Sequence, residues 1–345
     1  MDDKKKRMSE NKIINILVKA SVESASQPPI KTPYFTIRSQ FHILIVMPFG
    51  TGKSSLASQI PNSHTTLNYT LPAVVGTINK EGDYINSSIV NSANRVFIID
   101  EGHRLSNKCI DALLSLLEDG SYSRVLGYKI KNPKKEGGLK SLGWDVKPNK
   151  TGNGFDLRVN FSCIWFGERI FEEHKKAFLS RFFPLIIAPK EKDIDDYLRG
   201  EEFLSCDKDE KFNKYKDYCI MNKSVFDYLT EKFINISKGF KFIDEEQGYR
   251  VRARGQLIKL AGHFARLRGS LAINKKDCDK ALLLADICLL NYKLVNLTPL
   301  ELKIFNLVRL GNLKQKEIAV ELGITPPIVS EYINKLKYKN ILFEN

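Results

Sequence analysis

Residues 41–55 read Phe41-His42-Ile43-Leu44-Ile45-Val46-Met47-Pro48-Phe49-Gly50-Thr51-Gly52-Lys53-Ser54-Ser55, an apolar run that feeds a glycine-rich turn. Such a run without polar alternation predicts a strand buried on both faces, and hence a parallel sheet covered by helices. Backbone N–H groups in a turn of this kind point at phosphate oxygens, and the N-terminus of the following helix adds partial positive charge. The spacing assigns Phe49, Gly50, Thr51, Gly52, Lys53, Ser54 and Ser55 to a phosphate-binding loop. Lys53 is expected to reach the terminal phosphates of ATP, and the Ser54 hydroxyl to ligate Mg²⁺. Met47 stands where the pattern G-x-x-x-x-G-K-[ST] has its first glycine. Gly-Lys-Ser alone also occurs in ordinary strand–turn–helix connections.

A second stretch supports the loop. Arg95-Val96-Phe97-Ile98-Ile99-Asp100-Glu101 is an apolar strand ending in two acids. In hydrolases with such a loop, a neighbouring strand ends in an Asp that holds Mg²⁺, and an adjacent acid polarises the attacking water. Asp100 suits the first role and Glu101 the second. The plain alternative is a buried strand that ends in acids at a loop.

At 345 residues, with hydrophobic residues at 43%, the chain predicts two or three domains with real cores. No apolar stretch of about 18 residues occurs, and the charged N-terminus lacks the pattern of a secretory signal. The expectation is an intracellular protein, nucleoid-associated or encoded by a plasmid or virus. Cys109, Cys163, Cys206, Cys219, Cys278 and Cys288 are scattered and predict small buried residues of a reducing compartment. The histidines show no metal-ligand spacing. A net charge of +14 points to a polyanionic partner such as nucleic acid. A Lys-rich composition from an AT-rich genome would produce the same total.

Residues 1–27 read as a basic lead, a short helix and a Ser-rich linker. Residues 28–190 alternate strands and helices as an α/β unit, with strands expected at Phe41–Met47, Val96–Ile99 and Phe161–Phe166. Residues 191–295 lose the strand pattern and read as a helical lid. Residues 296–345 form a small helical unit, with helices over Leu300–Leu310, Lys314–Leu322 and Ile328–Tyr338. Gly323-Ile324 makes its tight turn, Thr325 the N-cap, and Asn340–Phe343 the start of a wing. This is a winged helix-turn-helix pattern, whose second helix would present Ser330, Glu331, Asn334 and Lys335 to DNA. A packing or protein-contact module fits the same helices.

The most basic segment lies between Tyr122 and Val159, with seven Lys and two Arg against three acids. Lys129, Lys131, Lys134, Lys135, Lys140, Lys147 and Lys150 are interleaved with Tyr128, Trp144 and glycines. Flanking alternation over Tyr122–Ile130 and Phe155–Phe161 predicts a long β-hairpin with a flexible tip. Such a hairpin can track a phosphate backbone and touch bases; a disordered surface loop is the alternative.

Taken together, these pieces resemble an AAA+ ATPase of the MCM (minichromosome maintenance) replicative-helicase family. The motifs are ILIVMPFGTGKSS, Pro72–Tyr84 as a small hairpin inserted in a helix, RVFIIDE, the lysine-rich hairpin, Ala177-Phe178-Leu179-Ser180-Arg181-Phe182, and the helix around Val251–Arg268. The resemblance covers residues 40–345. It implies an ATP-dependent DNA helicase or translocase in DNA replication, working as a hexameric ring with single-stranded DNA in its channel. It implies that Arg181 reaches the neighbouring subunit's ATP, and that Arg252 senses nucleotide from the lid. Lys53, Glu101 and Arg181 are then the catalytic residues. The chain departs from the family at Met47, at Glu168 where relatives carry Asn, and in a longer hairpin segment. With 40 residues before Phe41, it is also expected to lack the family's N-terminal DNA-binding domain. Two other readings fit: an origin-binding initiator that uses ATP as an assembly switch and reads duplex DNA, and an ATP-binding scaffold with little turnover.

Overall fold

Four apolar segments and one polar edge segment, Ser63–Thr66, line up side by side to form the centre of the molecule. The computed structural model describes residues 9–47, 50–66, 68–132, 134–167, 175–187, 212–240, 242, 247–295, 297–310, 313–339 and 341–342. The chain begins with α1 (Glu10–Ser24), β1 (Ile30–Lys31), β2 (Thr36–Ile37), β3 (Ile43–Val46), α2 (Lys53–Gln59), β4 (Ser63–Thr66), α3 (Leu71–Val75), β5 (Thr77–Ile78), β6 (Tyr84–Ile85), α4 (Ser88–Asn91), β7 (Val96–Ile99) and α5 (Asn107–Asp119). It continues through β8 (Ser121–Val125), β9 (Glu136–Gly137), α6 (Leu139–Leu142), β10 (Trp144–Pro148), β11 (Gly154–Val159), β12 (Ser162–Gly167), α7 (Lys175–Leu179), β13 (Phe183–Ile186) and β14 (Cys219–Ile220). The helices α8 (Lys223–Lys238), α9 (Gln247–Leu267), α10 (Lys275–Leu282), α11 (Ala285–Leu294), α12 (Pro299–Leu310), α13 (Gln315–Leu322) and α14 (Pro326–Tyr338) follow.

The central sheet is parallel, in the order β13-β3-β12-β7-β4. Its inner strands are buried on both faces, as their uninterrupted apolar runs require. Alternate residues divide between two cores. Ile43, Ile45, Val96, Ile98, Ile164 and Phe166 face one core with α1, α2 and the helices α8–α11. Leu44, Val46, Phe97, Ile99, Cys163 and Trp165 face the other, with α3–α5 and the strands β8, β10 and β11. This mixed α/β architecture is followed by a helical C-terminal region. Among the described residues, no helix is long and apolar enough to cross a membrane.

Two expectations change. The short helix expected before the Ser-rich linker is α1, which runs on to Ser24 into the stretch expected as linker, and its Ile13, Ile14, Leu17 and Val18 are core residues. Ser24 at its end is buried because the fold uses its hydroxyl: Ser24 Oγ accepts from the Phe41 amide (2.9 Å) and lies 3.0 Å from Ser162 Oγ. The lysine-rich segment is also more than one hairpin. β8 pairs with β11, but β11 pairs onward to β10, and β10 to β9, giving a four-stranded antiparallel sheet. The cause is an apolar face sufficient to pack. Val146 lies opposite Leu157, and Trp144 and Phe155 stack against Tyr84 of the β5–β6 hairpin, at 6.0 and 5.6 Å between ring centroids.

The C-terminal region has the expected three helices, with a tight turn at Gly323 between α13 and α14. Of the expected wing, Ile341 and Leu342 are described without a strand, while Asn340 and Phe343 lie outside the described residues.

Candidate functional site

The strand β3 delivers its C-terminal end into the glycine turn. Gly50 and Gly52 have φ of 75° and 83°, a region open to glycine at little cost, and Gly52 is the N-cap of α2. Met47 shows no positive φ, so its backbone does not call for glycine; its side chain is fully buried and its amide bonds to the Gly167 carbonyl at 2.9 Å. Packing explains the departure from the loop pattern. Lys53 is nearly buried, and its Nζ donates to the Met47 carbonyl at 3.3 Å. Thr51 and Ser55 flank this turn on the described side, whereas Phe49 lies outside the described residues.

β7 lies two strands from β3, with β12 between them, and the two acids directly follow its last residue. Ser54 Oγ donates to Asp100 Oδ2 at 2.9 Å, so the two oxygen donors expected for Mg²⁺ meet from different elements. A hydroxyl and a carboxylate suit Mg²⁺, which takes one or two protein oxygens and completes its octahedron with phosphate and water. Glu101 has φ 55° and ψ 47°, the left-handed region, which is uncommon for a residue with a side chain. Holding it there costs about 1–3 kcal/mol, a strain typical of functional sites. The surroundings support it: Tyr69 donates its hydroxyl to the Asp100 carbonyl, and Arg104 Nη1 donates to Glu101 Oε2 at 2.8 Å. Burial first, then Asp100 and Glu101, push the Tyr69 hydroxyl up to about 12, so it stays a donor at neutral pH. The next residue, Gly102, packs against the Trp165 indole so closely that an added Cβ would lie 1.5 Å from Nε1. Tyr69, Gly102 and Arg104 carry no motif of their own and are recognised only from this contact.

At the opposite edge of the sheet, where the parallel strands begin, a second cluster forms. Glu118 in the last turn of α5 takes one guanidinium on each carboxylate oxygen: Arg181 Nη2 on Oε2 and Arg252 Nη2 on Oε1, the latter at 2.9 Å. Burial works against the charge on Glu118, but the Arg252 and Arg181 guanidiniums outweigh it and hold the carboxyl below its usual range. Behind them, Lys259 is half-buried with its Nζ on the Gln40 carbonyl at 2.8 Å, and desolvation, then Arg38 and Arg252, lower its amine to about 7. Arg38 and His42 cap the α5 C-terminus through the Leu116 and Leu117 carbonyls, at 2.9 and 3.1 Å. The Cys163 amide donates to His42 Nδ1 (3.0 Å), so Nε2 carries the proton and the ring is neutral. Burial, then Lys259 and Arg38, push its pKa well below normal.

This places both arginines far from the loop of their own chain. Arg181 precedes β13, whose first residue Phe183 pairs with Ile43 at the start of β3. The full length of β3, about 10 Å at 3.3 Å per residue, separates that edge from the loop. The helix α9 lies along this same edge: Arg252 meets Glu118, Gln256 meets the Arg181 carbonyl, Lys259 meets Gln40, and Arg266 meets the buried Glu23. Arg252 therefore stands beside Arg181 and not over the glycine turn of its own chain. Glu168 lies outside the described residues.

The basic residues occupy the connection from β8 to β9. Lys129, Lys131, Lys134 and Lys135 are exposed there beside Lys80 of the β5–β6 turn, whose carbonyl accepts from the Lys131 amide at 3.1 Å. Lys134 pairs with Asp83 across this junction. The solvent face of the sheet itself is charge-balanced, with Lys147 against Asp145 (3.3 Å) and Ser123 on Asp156 (2.6 Å). The side chain of Lys140 lies outside what is described. On α14, Ser330 is partly buried and Asn334 exposed. Lys335 is committed to the buried Glu301 of α12 (3.1 Å), together with Lys339 (2.8 Å), so its amine fastens two helices. No protein-family model matches the chain, and no curated protein matches it significantly.

Proposed function

We propose that the chain is an ATP hydrolase of the AAA+ type that acts on DNA, and that its reaction is completed between copies. The observation that carries this is the division of catalytic groups between two edges of one sheet. Lys53, Ser54, Asp100 and Glu101 gather at the C-terminal edge, while Arg181 and Arg252 gather at the N-terminal edge. A guanidinium beside the terminal phosphate stabilises the charge that develops in phosphoryl transfer. The arginines cannot serve the loop of their own chain, so they serve the loop of the next copy in a ring. The strand order β13-β3-β12-β7-β4, with the loop strand between the last strand and the Trp165 strand, supports the same class.

Within the site, Glu101 is the acceptor that orients water against the terminal phosphate, and Arg104 and the Tyr69 contact hold it in register. Lys53 neutralises phosphate charge. Ser54 and Asp100 would hold Mg²⁺, which when bound screens the phosphates and polarises them. The exposed lysines at 129, 131, 134 and 135 supply contacts to a nucleic-acid backbone. The commitment of Lys335 to Glu301 favours translocation along DNA over site reading by α14. Phosphate release measured with and without single-stranded DNA, beside strand displacement on a fork and footprinting on duplex, tests this reading. DNA-stimulated turnover with displacement is expected. A discrete footprint without displacement would favour the initiator, and ATP binding without turnover the scaffold.

A further inference from the structure

Glu118, in the last turn of α5, has no part in the sequence motifs, yet two distant segments converge on it: the turn after α7 and the second turn of α9. The carboxylate gives one oxygen to each arginine. The main chain is tied as well, because Gln256, one turn after Arg252, donates to the Arg181 carbonyl at 2.9 Å. Arg181 is further fixed by its own segment, through the Ala177 carbonyl and Ser180 Oγ (3.0 Å). Only 16% of its side chain is exposed. A guanidinium carries five donors; on Arg181 the Nη1 bonds are taken and Nε is buried, which leaves one Nη2 donor for a second anion, while Arg252 gives only Nη2 to Glu118.

The charges point the same way. Arg181, Arg252, Lys259 and Arg38 face one another around Glu118, with Asp119 next in sequence. Without the carboxylate, like charges would drive the two guanidiniums apart. With it, the cluster keeps an excess of positive charge while its geometry stays set. A surface ion pair adds little stability. A carboxylate that gathers two arginines at one point costs little and presets a bidentate grip on phosphate.

We propose that Glu118 is a positioning residue that holds Arg181 and Arg252 together as one paired grip for the terminal phosphate bound by a neighbouring copy. This rests on the reading that hydrolysis is completed between copies. Glu118→Gln keeps the size of the side chain and removes its charge. The variant is expected to bind ATP within twofold of the unmodified protein and to hydrolyse it at least tenfold more slowly. Mixing separates its role from a folding defect. Glu118→Gln subunits mixed with Lys53→Ala subunits should regain turnover, because a sound loop then meets a sound grip. Mixed with Arg181→Ala subunits, they should not. Turnover of Glu118→Gln at or above the unmodified rate would overturn the proposal, as would rescue by Arg181→Ala subunits. If Arg181→Ala alone hydrolyses normally, the reading of catalysis between copies fails first. If Arg181→Ala is inactive while Glu118→Gln is normal, only the role of Glu118 falls. Failure of Glu118→Gln to bind ATP, or to be rescued by Lys53→Ala subunits, makes Glu118 structural and also overturns it.

Discussion

The two edges of the central sheet are built by different means. At the C-terminal edge, consecutive residues do the work: β3 runs into Gly50–Ser54, and β7 into Asp100-Glu101, with one contact of 2.9 Å joining them. At the N-terminal edge, residues from α5, the turn before β13, α9 and the entry to β3 come together only in the folded chain. The basic sheet leaves from this edge too, since it joins the end of α5 to the start of β12. On the proposed function, one edge would serve a small anion and the other what comes from outside, another copy and a nucleic acid. The contrast teaches that contiguous sequence builds one edge and tertiary contacts the other, which is why the proposed reaction divides its groups between copies.

The strongest test breaks the local edge. Lys53→Ala and Glu101→Gln are each expected to abolish ATP hydrolysis, read as phosphate release at saturating ATP and DNA. Residual turnover above a hundredth of the unmodified rate would remove the residue from the chemistry. The next test breaks the assembled edge. Arg181→Ala should leave the affinity for ATP unchanged and slow hydrolysis by about 10³-fold, the scale of an arginine supplied to phosphoryl transfer. Equal losses in binding and turnover would mean that Arg181 acts within its own chain.

The same contrast explains what the sequence made legible. The glycine turn, the acid-ended strand and the parallel sheet are readable because each is a contiguous pattern with a local physical cause. The partnership of Arg181, Arg252 and Glu118 spans residues 118 to 252 and leaves no periodic trace. Tyr69 and Gly102 matter through close approach to Asp100 and Trp165, which no spacing rule encodes. The end of α1 is hidden because Ser21 and Ser24 look like linker residues, whereas both are buried in the helix and the Ser24 hydroxyl is held between the Ser21 carbonyl and the Phe41 amide. The strands β9 and β10 were hidden by lysines and by Pro148, which interrupt the alternation.

A weaker effect is expected where the N-terminal edge meets nucleic acid. Lys129→Glu, Lys131→Glu and Lys135→Glu together should weaken binding to single-stranded DNA without changing basal ATP hydrolysis. Each lost phosphate contact lowers the salt slope by about 0.7, so the triple variant should lower it by about 2. Lys134, already paired with Asp83, should contribute less than its neighbours. An unchanged slope, measured by fluorescence anisotropy across a salt series, would reduce this patch to solvated surface.

The smallest effect on catalysis, and the sharpest control, comes from a second carboxylate that also gathers two cations. Glu301 takes Lys335 and Lys339 on one oxygen and the Thr298 amide on the other, at 2.7 Å. Burial raises its pKa, but Lys339, the Thr298 amide and Lys335 prevail and lower it to about 2. Because the folded value lies below the unfolded one of about 4.3, the stabilisation is fully present above that pH. It is lost as the pH falls toward about 2. The shift corresponds to at most about 3 kcal/mol near neutral pH. Glu301→Gln should therefore speed hydrogen exchange in α12 and α14 at pH 7, and the difference from the unmodified chain should close near pH 2. ATP turnover should not change, since Glu301 joins helices and touches neither edge of the sheet. Glu118→Gln should do the reverse, sparing exchange and slowing turnover. Parallel behaviour of the two variants would mean that both carboxylates are fasteners, and the N-terminal edge would lose its distinction.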